Sequence, residues 1–204
     1  EIRALFSVVS RPEVVSLAGG MPNLKDLPLD KLAASAEKLV RNHGAQAMQY
    51  GSGQGWEVLR ERITEVMPYD GIIGADPDDV VVTTGSQQAL DLVTELFVNP
   101  GDVILAEAPS YVGALGVFRA RQADVVHVPM DEHGIIPEAL VETIRDVRAS
   151  GRTIKFIYTI PNYHNPAGVT LSAERRPIIA EICLREHVLI VEDNPYGLLG
   201  FHND

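Results

Sequence analysis

Three short polar segments carry residue types that can bind a charged small molecule, and each follows an apolar, β-branched run. They are Gly85-Ser86-Gln87, the Asn- and Pro-rich stretch 161–168, and the stretch 193–196. A glycine followed by free backbone N–H groups at a helix start can hold a phosphate. A carboxylate beside an apolar strand, such as Asp193, is costly to bury unless it meets a cation or a donor.

Each segment also has an ordinary structural interpretation. Ser86 can cap the helix that follows it. The stretch 161–168 can be a plain loop, because proline restricts the residue before it and Gly168 permits a turn. Asp193 can cap a turn. Taken singly, the first two segments favour the structural interpretation, and the third favours neither.

The elements that position these segments alternate in type. Apolar, β-branched runs occur at 80–84, 103–106, 125–128, 154–159 and 188–191. Segments with helical apolar spacing occur at 86–97, 137–149 and 172–186. Strands that alternate with helices predict βαβ units on a mostly parallel sheet, and runs that are apolar on both faces predict helices on both sides of it.

The predicted sheet brings the polar segments together. In an open α/β sheet, ligands bind beyond the carboxyl ends of the strands, and the three segments follow the runs 80–84, 154–159 and 188–191. A phosphate cradle, an amide at Asn165 and an acceptor at Asp193 suit a phosphorylated heteroaromatic ligand with a protonatable ring nitrogen. Pyridoxal phosphate (PLP) is a ligand of this kind.

Composition excludes several classes of protein. The 204 residues include 17 Lys and Arg against 28 Asp and Glu, a net charge of −11, and 46% are apolar. These values exclude disorder, and the acidic balance argues against a nucleic-acid surface. The lone Cys183 cannot form an internal disulfide, and no membrane span, signal peptide or metal-ligand spacing is present. The sequence predicts a cytoplasmic protein without a metal.

Residues 1–77 have a different pattern from the rest. An arm at 1–28 precedes helices at about 29–43 and 56–67, which flank a glycine-rich connector at 51–55. The connector lacks the spacing and the preceding strand of a dinucleotide loop, which counts against a nucleotide-binding α/β domain. We predict two regions, an N-terminal region 1–77 and an α/β region 78–204.

The motifs together resemble a known family. Gly85-Ser86-Gln87, Asn165-Pro166-Ala167-Gly168 and Asp193-x-x-Tyr196, in this order, resemble the class I/II aminotransferases, which are PLP-dependent enzymes of fold type I. The sequence Gly-Ser-Gln-Gln-Ala-Leu at 85–90 is similar to that of one branch of the family. This branch contains 2-aminoadipate-type aminotransferases and the aminotransferase-like domains of certain bacterial regulators. The resemblance covers nearly the whole chain and implies the large PLP-binding domain of fold type I.

The resemblance assigns roles to the motif residues. Asp193 would pair with the pyridine nitrogen and keep it protonated, so that the ring acts as an electron sink. Asn165 and Tyr196 would hydrogen-bond the 3-oxygen of the ring. Gly85, Ser86 and Gln87 would hold the phosphate.

Other roles follow from the same resemblance. Tyr111, in Pro109-Ser110-Tyr111, would stack on the cofactor ring. Tyr50 would reach the phosphate of the neighbouring subunit, which implies a homodimer. Gly20 and Asn165 would contact the substrate. Two peptide bonds are candidates for the cis form: Ala108–Pro109 and Asn165–Pro166.

Two parts of such an enzyme are missing from the 204 residues. The resemblance places the Schiff-base lysine a few dozen residues beyond Asp193, and the arginine that binds the substrate carboxylate later still. No lysine follows Asp193. In this fold the partners of the first strand, 80–84, would also come after residue 204, which leaves its backbone groups unpaired. We hypothesise that the chain is part of a larger enzyme and that its sheet is incomplete.

The sequence therefore predicts a PLP-dependent aminotransferase that exchanges an amino group between an amino acid and a 2-oxo acid. One alternative is a non-catalytic PLP-binding sensor domain of a transcriptional regulator. Another is a different reaction on the same fold, such as elimination or decarboxylation.

Overall fold

The chain divides into two units in the computed structural model, Glu1–Gly51 and Ser52–Asp204. The structure describes residue 11, residues 13–15 and residues 24–200. The first unit contains helix α1, Leu29–Ala47, none of whose residues is buried. The α1 backbone leaves helical geometry at His43, which is where the sequence predicts this helix to end.

The second unit alternates helices with strands, as predicted. Its helices are α2 (Glu57–Val66), α3 (Ser86–Phe97), α4 (Val112–Ala120), α5 (Pro137–Ala149) and α6 (Arg175–Arg185). Its strands are β1 (Val103–Ala108), β2 (Asp124–Asp131), β3 (Gly134–Ile135), β4 (Ile154–Thr159) and β5 (Leu189–Glu192). Single 3₁₀ turns span Met67–Asp70, Pro77–Asp79 and Gly197–Leu199. Among the described residues, no helix combines the length and the apolar character needed to cross a bilayer.

The strands form one sheet in the order β3-β2-β1-β4-β5. Every neighbouring pair is parallel except β2 and β3, which form a short antiparallel ladder. Strand β1 lies in the centre, and its first four residues have no exposed surface. The carboxyl ends of β1, β4 and β5 therefore lie side by side at one edge of the sheet.

Helices cover both faces of the sheet, because alternate residues of a strand point to opposite sides. Val103 and Leu105 of β1 pack in a core with α5 and α6, which includes the buried Cys183. Ile104 and Ala106 pack on the other face with α3 and α4, including Phe118. Two apolar cores thus fix the strand ends that carry the polar segments.

The run at 80–84, whose partner strands are expected to be missing from the 204 residues, is not paired in a sheet. Val80 is extended, but the segment joins no ladder among the described residues, and its Val82 N–H donates instead to the Gln54 carbonyl at 2.8 Å. Gly55 lets this contact form, since a Cβ at that position would lie 2.6 Å from Val82 Cβ. The physical reason is that a strand requires a neighbouring backbone, and none of the described strands lies beside this one.

A charge-assisted clamp joins the end of β2 to the start of α6. The Arg175 guanidinium donates to both carboxylate oxygens of Asp131, at 2.6 and 2.8 Å, and to the Gly134 carbonyl at 3.0 Å. The Arg175 side chain, together with the His133 N–H, lowers the pKa of Asp131 to about 2. Bidentate pairs of this kind are stronger than ordinary surface ion pairs.

We expect Asp131→Asn to lower the free energy of unfolding at pH 7. A depressed carboxyl pKa stabilises the fold above the unfolded pKa of about 3.9, and this contribution is lost as the pH falls through 2. The difference between wild type and variant in urea denaturation should therefore shrink from pH 7 to pH 2. The exposed Asp79→Asn is the matched control. An Asp131→Asn difference that is the same at both pH values would contradict the clamp.

Candidate active site

The structure brings Asn165 and Tyr196 together at the carboxyl edge of the sheet. Asn165 lies in the loop after β4, and Tyr196 follows β5, the strand beside it. Both line one cavity of about 390 Å³, whose other lining residues include Tyr163, His164 and Leu199. The bonds Ala108–Pro109 and Asn165–Pro166 are both cis, as predicted.

Asp193 is held by the side chain of a buried tyrosine. The Tyr158 hydroxyl donates to Asp193 Oδ2 at 2.7 Å, and the Asp193 N–H donates to the Thr159 carbonyl at 2.9 Å. Burial, and then the hydrogen bond to Asp193, raise the pKa of Tyr158 far above its ordinary value, so this hydroxyl stays a donor. Within residues 24–200, no donor contacts Asp193 Oδ1. That oxygen can accept a proton-bearing nitrogen from a ligand.

We expect Tyr158→Phe to weaken cofactor binding while leaving the fold intact. The substitution removes only the hydroxyl, and a hydrogen bond to a charged group contributes about 1.5–3 kcal/mol, or roughly tenfold or more in affinity. A cofactor titration of the full-length protein measures this change. Tyr69→Phe, at an exposed tyrosine, is the control. An unchanged dissociation constant for Tyr158→Phe would contradict the orienting role of this hydroxyl.

Tyr111 lies at the start of α4, directly after β1. Its ring packs over the first turn of the helix, where a Cβ on Gly113 would come within 2.5 Å of the ring. The ring also packs against the core that contains Phe118 and Tyr158. The Ser110 hydroxyl beside it is buried and has no hydrogen-bond partner among the described residues. The Tyr111 ring therefore packs against the same core as Tyr158, whose hydroxyl holds Asp193.

The start of α3 is open to an anion. Gly85 adopts φ 85°, a conformation that glycine favours, and no side chain caps the helix, so the interpretation of Ser86 as a cap is wrong. The first turn carries no acidic residue, and Gly85, Ser86 and Gln87 are exposed. Gln87 Nε2 donates to the Gly113 carbonyl at 3.4 Å, which joins this helix start to that of α4. Free N–H groups at the positive end of a helix attract phosphate.

A polar network fixes the segment that carries Asp193 and Tyr196. The Asn194 side chain accepts from Asn162 Nδ2 at 2.8 Å and donates to the Asp70 carboxylate. The Asn162 amide oxygen in turn accepts from Arg176 at 2.7 Å. A side chain at Gly197 would press on Asn194, with a Cβ at 2.7 Å from its amide. The loops after β4 and β5 are therefore tied to each other.

Two other predicted site residues precede residue 52. Tyr50 belongs to the first unit and is 97% exposed. Gly20 lies outside the described residues. Lys155 stands near the amino end of β4, where its Nζ lies 3.2 Å from Asp102 Oδ2. It is thus at the opposite edge of the sheet from Asp193.

Comparison with known proteins decides the family. The family model for class I and II aminotransferases matches residues 12–204. The chain belongs to this family. This confirms the resemblance carried by the motifs at 85–90, 165–168 and 193–196.

Curated aminotransferases align with nearly the whole chain. The aromatic-amino-acid aminotransferase 1 of Thermococcus litoralis is 39% identical over 204 residues, which are 100% of this chain and 49% of that protein. The 2-aminoadipate transaminase of Thermus thermophilus is 36% identical over 200 residues, 98% of this chain and 48% of that protein. The chain spans about half the length of these curated relatives.

Solved aminotransferases share the fold. A kynurenine aminotransferase of Pyrococcus horikoshii, solved in complex with PMP, has a TM-score of 0.87 at 35% identity and covers 95% of this chain and 48% of that chain. LysN of Thermus thermophilus, solved with N-(5'-phosphopyridoxyl)-L-leucine, has a TM-score of 0.81 at 33% identity, over 94% of this chain and 45% of that chain. The α/β architecture is therefore that of PLP fold type I.

The residues present fit the cofactor that this aminotransferase family uses. Asp193 Oδ1 is free to accept from a protonated ring nitrogen. The uncapped start of α3 suits a phosphate, and the Tyr111 ring offers an aromatic face. Among the described residues, no group of three or more His, Cys, Asp or Glu side chains is placed to hold a metal ion.

Proposed function

We propose that this chain forms the cofactor-binding part of a PLP-dependent aminotransferase, which transfers an amino group between an amino acid and a 2-oxo acid. The observation that carries the proposal is the Asp193 carboxylate, which is oriented by the Tyr158 hydroxyl and keeps one oxygen free. A carboxylate in this position favours the protonated form of a ring nitrogen. The family match supports the same activity.

Different residues of the chain bind the cofactor and control the charge of its ring. Bound PLP supplies an electron sink for the carbanion that forms at the substrate α-carbon. Asp193 holds a proton at the ring nitrogen, and Asn165 and Tyr196 donate to the 3-oxygen of the ring. The backbone and side chains of Gly85, Ser86 and Gln87 hold the phosphate. Tyr111 stacks on the ring and fixes its plane.

Other parts of the site are proposed from the family resemblance. Tyr50 reaches the phosphate of a partner subunit, so the enzyme is a homodimer, and Gly20 contacts the substrate. The Schiff-base lysine and the arginine for the substrate carboxylate are supplied by sequence outside these 204 residues, as are the strands that pair with 80–84. Residues 1–77 serve substrate and dimer contacts, residues 78–204 bind the cofactor, and the enzyme acts in the cytoplasm.

Initial-rate kinetics of the full-length protein test the proposed activity. The names of relatives suggest amino donors to assay, namely aromatic amino acids, 2-aminoadipate and kynurenine. Because the amino group is held by the enzyme between two half-reactions, we expect ping-pong kinetics with parallel double-reciprocal lines. Intersecting lines, or an amino acid consumed without a 2-oxo acid product, would show that the activity is different.

A further inference from the structure

A buried carboxylate stands beside the site without belonging to the cofactor contacts described above. Glu107, near the end of the central strand β1, is 1% exposed. Its Oε1 accepts from the Thr159 hydroxyl at 2.8 Å, and its Oε2 accepts from the Ile160 N–H at 2.8 Å. His164 Nε2 lies 2.9 Å from the same Oε2 but does not meet the geometry of a hydrogen bond.

His164 holds the loop after β4 in place through its backbone and its ring. Its side chain is buried, with 2% of the residue exposed. The His164 N–H donates to the Val169 carbonyl at 2.8 Å, and the Gly168 N–H donates to the His164 carbonyl at 2.6 Å. His164 Nδ1 accepts from the Ala167 N–H at 3.3 Å, and its Nε2 is the atom beside Glu107. The loop therefore closes around the imidazole, and Asn165 is the next residue in it.

The partners of the Glu107 carboxylate all belong to one segment. Thr159, Ile160 and His164 run from the last residue of β4 into the loop that presents Asn165. Burying a carboxylate is expensive, and apolar residues of similar volume often stabilise a core as well or better. Packing therefore does not require a carboxylate here. What the carboxylate provides is a set of directional contacts to that segment.

We propose that Glu107 is a positioning residue, which acts through His164 to set the Asn165 side chain against the 3-oxygen of the cofactor ring. This inference rests on the proposed function, because it concerns how the PLP site of an aminotransferase is built. Glu107 touches neither cofactor nor substrate. Its effect on the reaction passes through the loop.

A double-mutant cycle in the full-length holoenzyme tests the inference. If Glu107 acts through Asn165, Glu107→Gln should lower kcat by about tenfold in the wild-type background and change it little in the Asn165→Ala background. Glu107→Gln and Asn165→Ala should also shift the pH midpoint of the bound cofactor's absorbance in the same direction, because both disturb the group that bonds the 3-oxygen. A purely structural Glu107 would lower the melting temperature without moving that midpoint.

Two further variants serve as the control and the fallback for this test. Glu181→Gln, at an exposed glutamate of α6, should match the wild type in all readouts. If Glu107→Gln does not fold, Thr159→Val removes one donor to the carboxylate and should show a smaller shift of the same sign. If the kcat losses of Glu107→Gln and Asn165→Ala multiply in the double variant, Glu107 does not act through Asn165. A pH midpoint of the cofactor absorbance that does not move would also overturn the positioning role. A wild-type protein that binds no PLP would instead overturn the proposed function.

Discussion

Asp193→Asn should lower the kcat of transamination by about 10²–10³-fold, the loss typical when one preorganised electrostatic group is removed. Asparagine has nearly the shape of aspartate and can still accept from the Tyr158 hydroxyl, so the fold and the loop after β5 should persist. It carries no negative charge, so the protonated ring nitrogen loses its counterion. Steady-state kinetics at saturating PLP measure the effect without confusing it with cofactor loss.

The control for this prediction is Asp79→Asn, since Asp79 is exposed in the 3₁₀ turn Pro77–Asp79. It should keep the wild-type turnover. If Asp193→Asn also kept near-normal turnover while retaining its cofactor, the role of the Asp193 carboxylate would be wrong.

Phe118→Ala should destabilise the fold by about 3–5 kcal/mol, which is the usual cost of deleting a fully buried aromatic ring. Phe118 of α4 has no exposed surface. Its ring meets Phe156 and Tyr158 edge to face, with centroids 5.9 and 5.4 Å apart. The cavity would open directly behind the tyrosine that orients Asp193, so cofactor affinity should fall as well.

Urea denaturation of the full-length protein without PLP measures the stability change, because bound cofactor would add its own stabilisation. Leu96→Ala is the matched control, since Leu96 of the neighbouring helix α3 is 76% exposed. It should change the free energy of unfolding by less than about 0.5 kcal/mol. A Phe118→Ala variant as stable as the control would contradict the packing described for this core.

Helices and strands could be predicted where apolar residues recur with a clear helical or strand spacing. The helices at 86–97 and 137–149 and the strand at 154–159 have the predicted bounds. Helix α4 was missed, although Ala114, Val117 and Phe118 have helical spacing. Its glycines at 113 and 116 weaken helix propensity and make the segment resemble a loop. The segment 80–84 has the composition of a strand, but composition does not supply a partner backbone.

Residues of the candidate site could be predicted only where the chemistry is carried by a local motif. Asp193, Asn165 and Tyr196 stand out because they follow strands in short polar segments. Tyr158 and Glu107 lie inside apolar strands, and their partners are 35 and 52 residues away in sequence. A signal was present in both cases, because a buried hydroxyl or carboxylate must find a partner. Which partner it finds depends on strand order, which the local sequence does not state.

A single half-reaction tests the proposed activity most directly. The full-length holoenzyme is mixed with an amino donor and no 2-oxo acid acceptor, and the products are counted per bound cofactor. We expect one equivalent of 2-oxo acid for each site, with the amino group retained on the enzyme until an acceptor is added. Repeated turnover with release of ammonia or carbon dioxide, or no product at all, would contradict transamination.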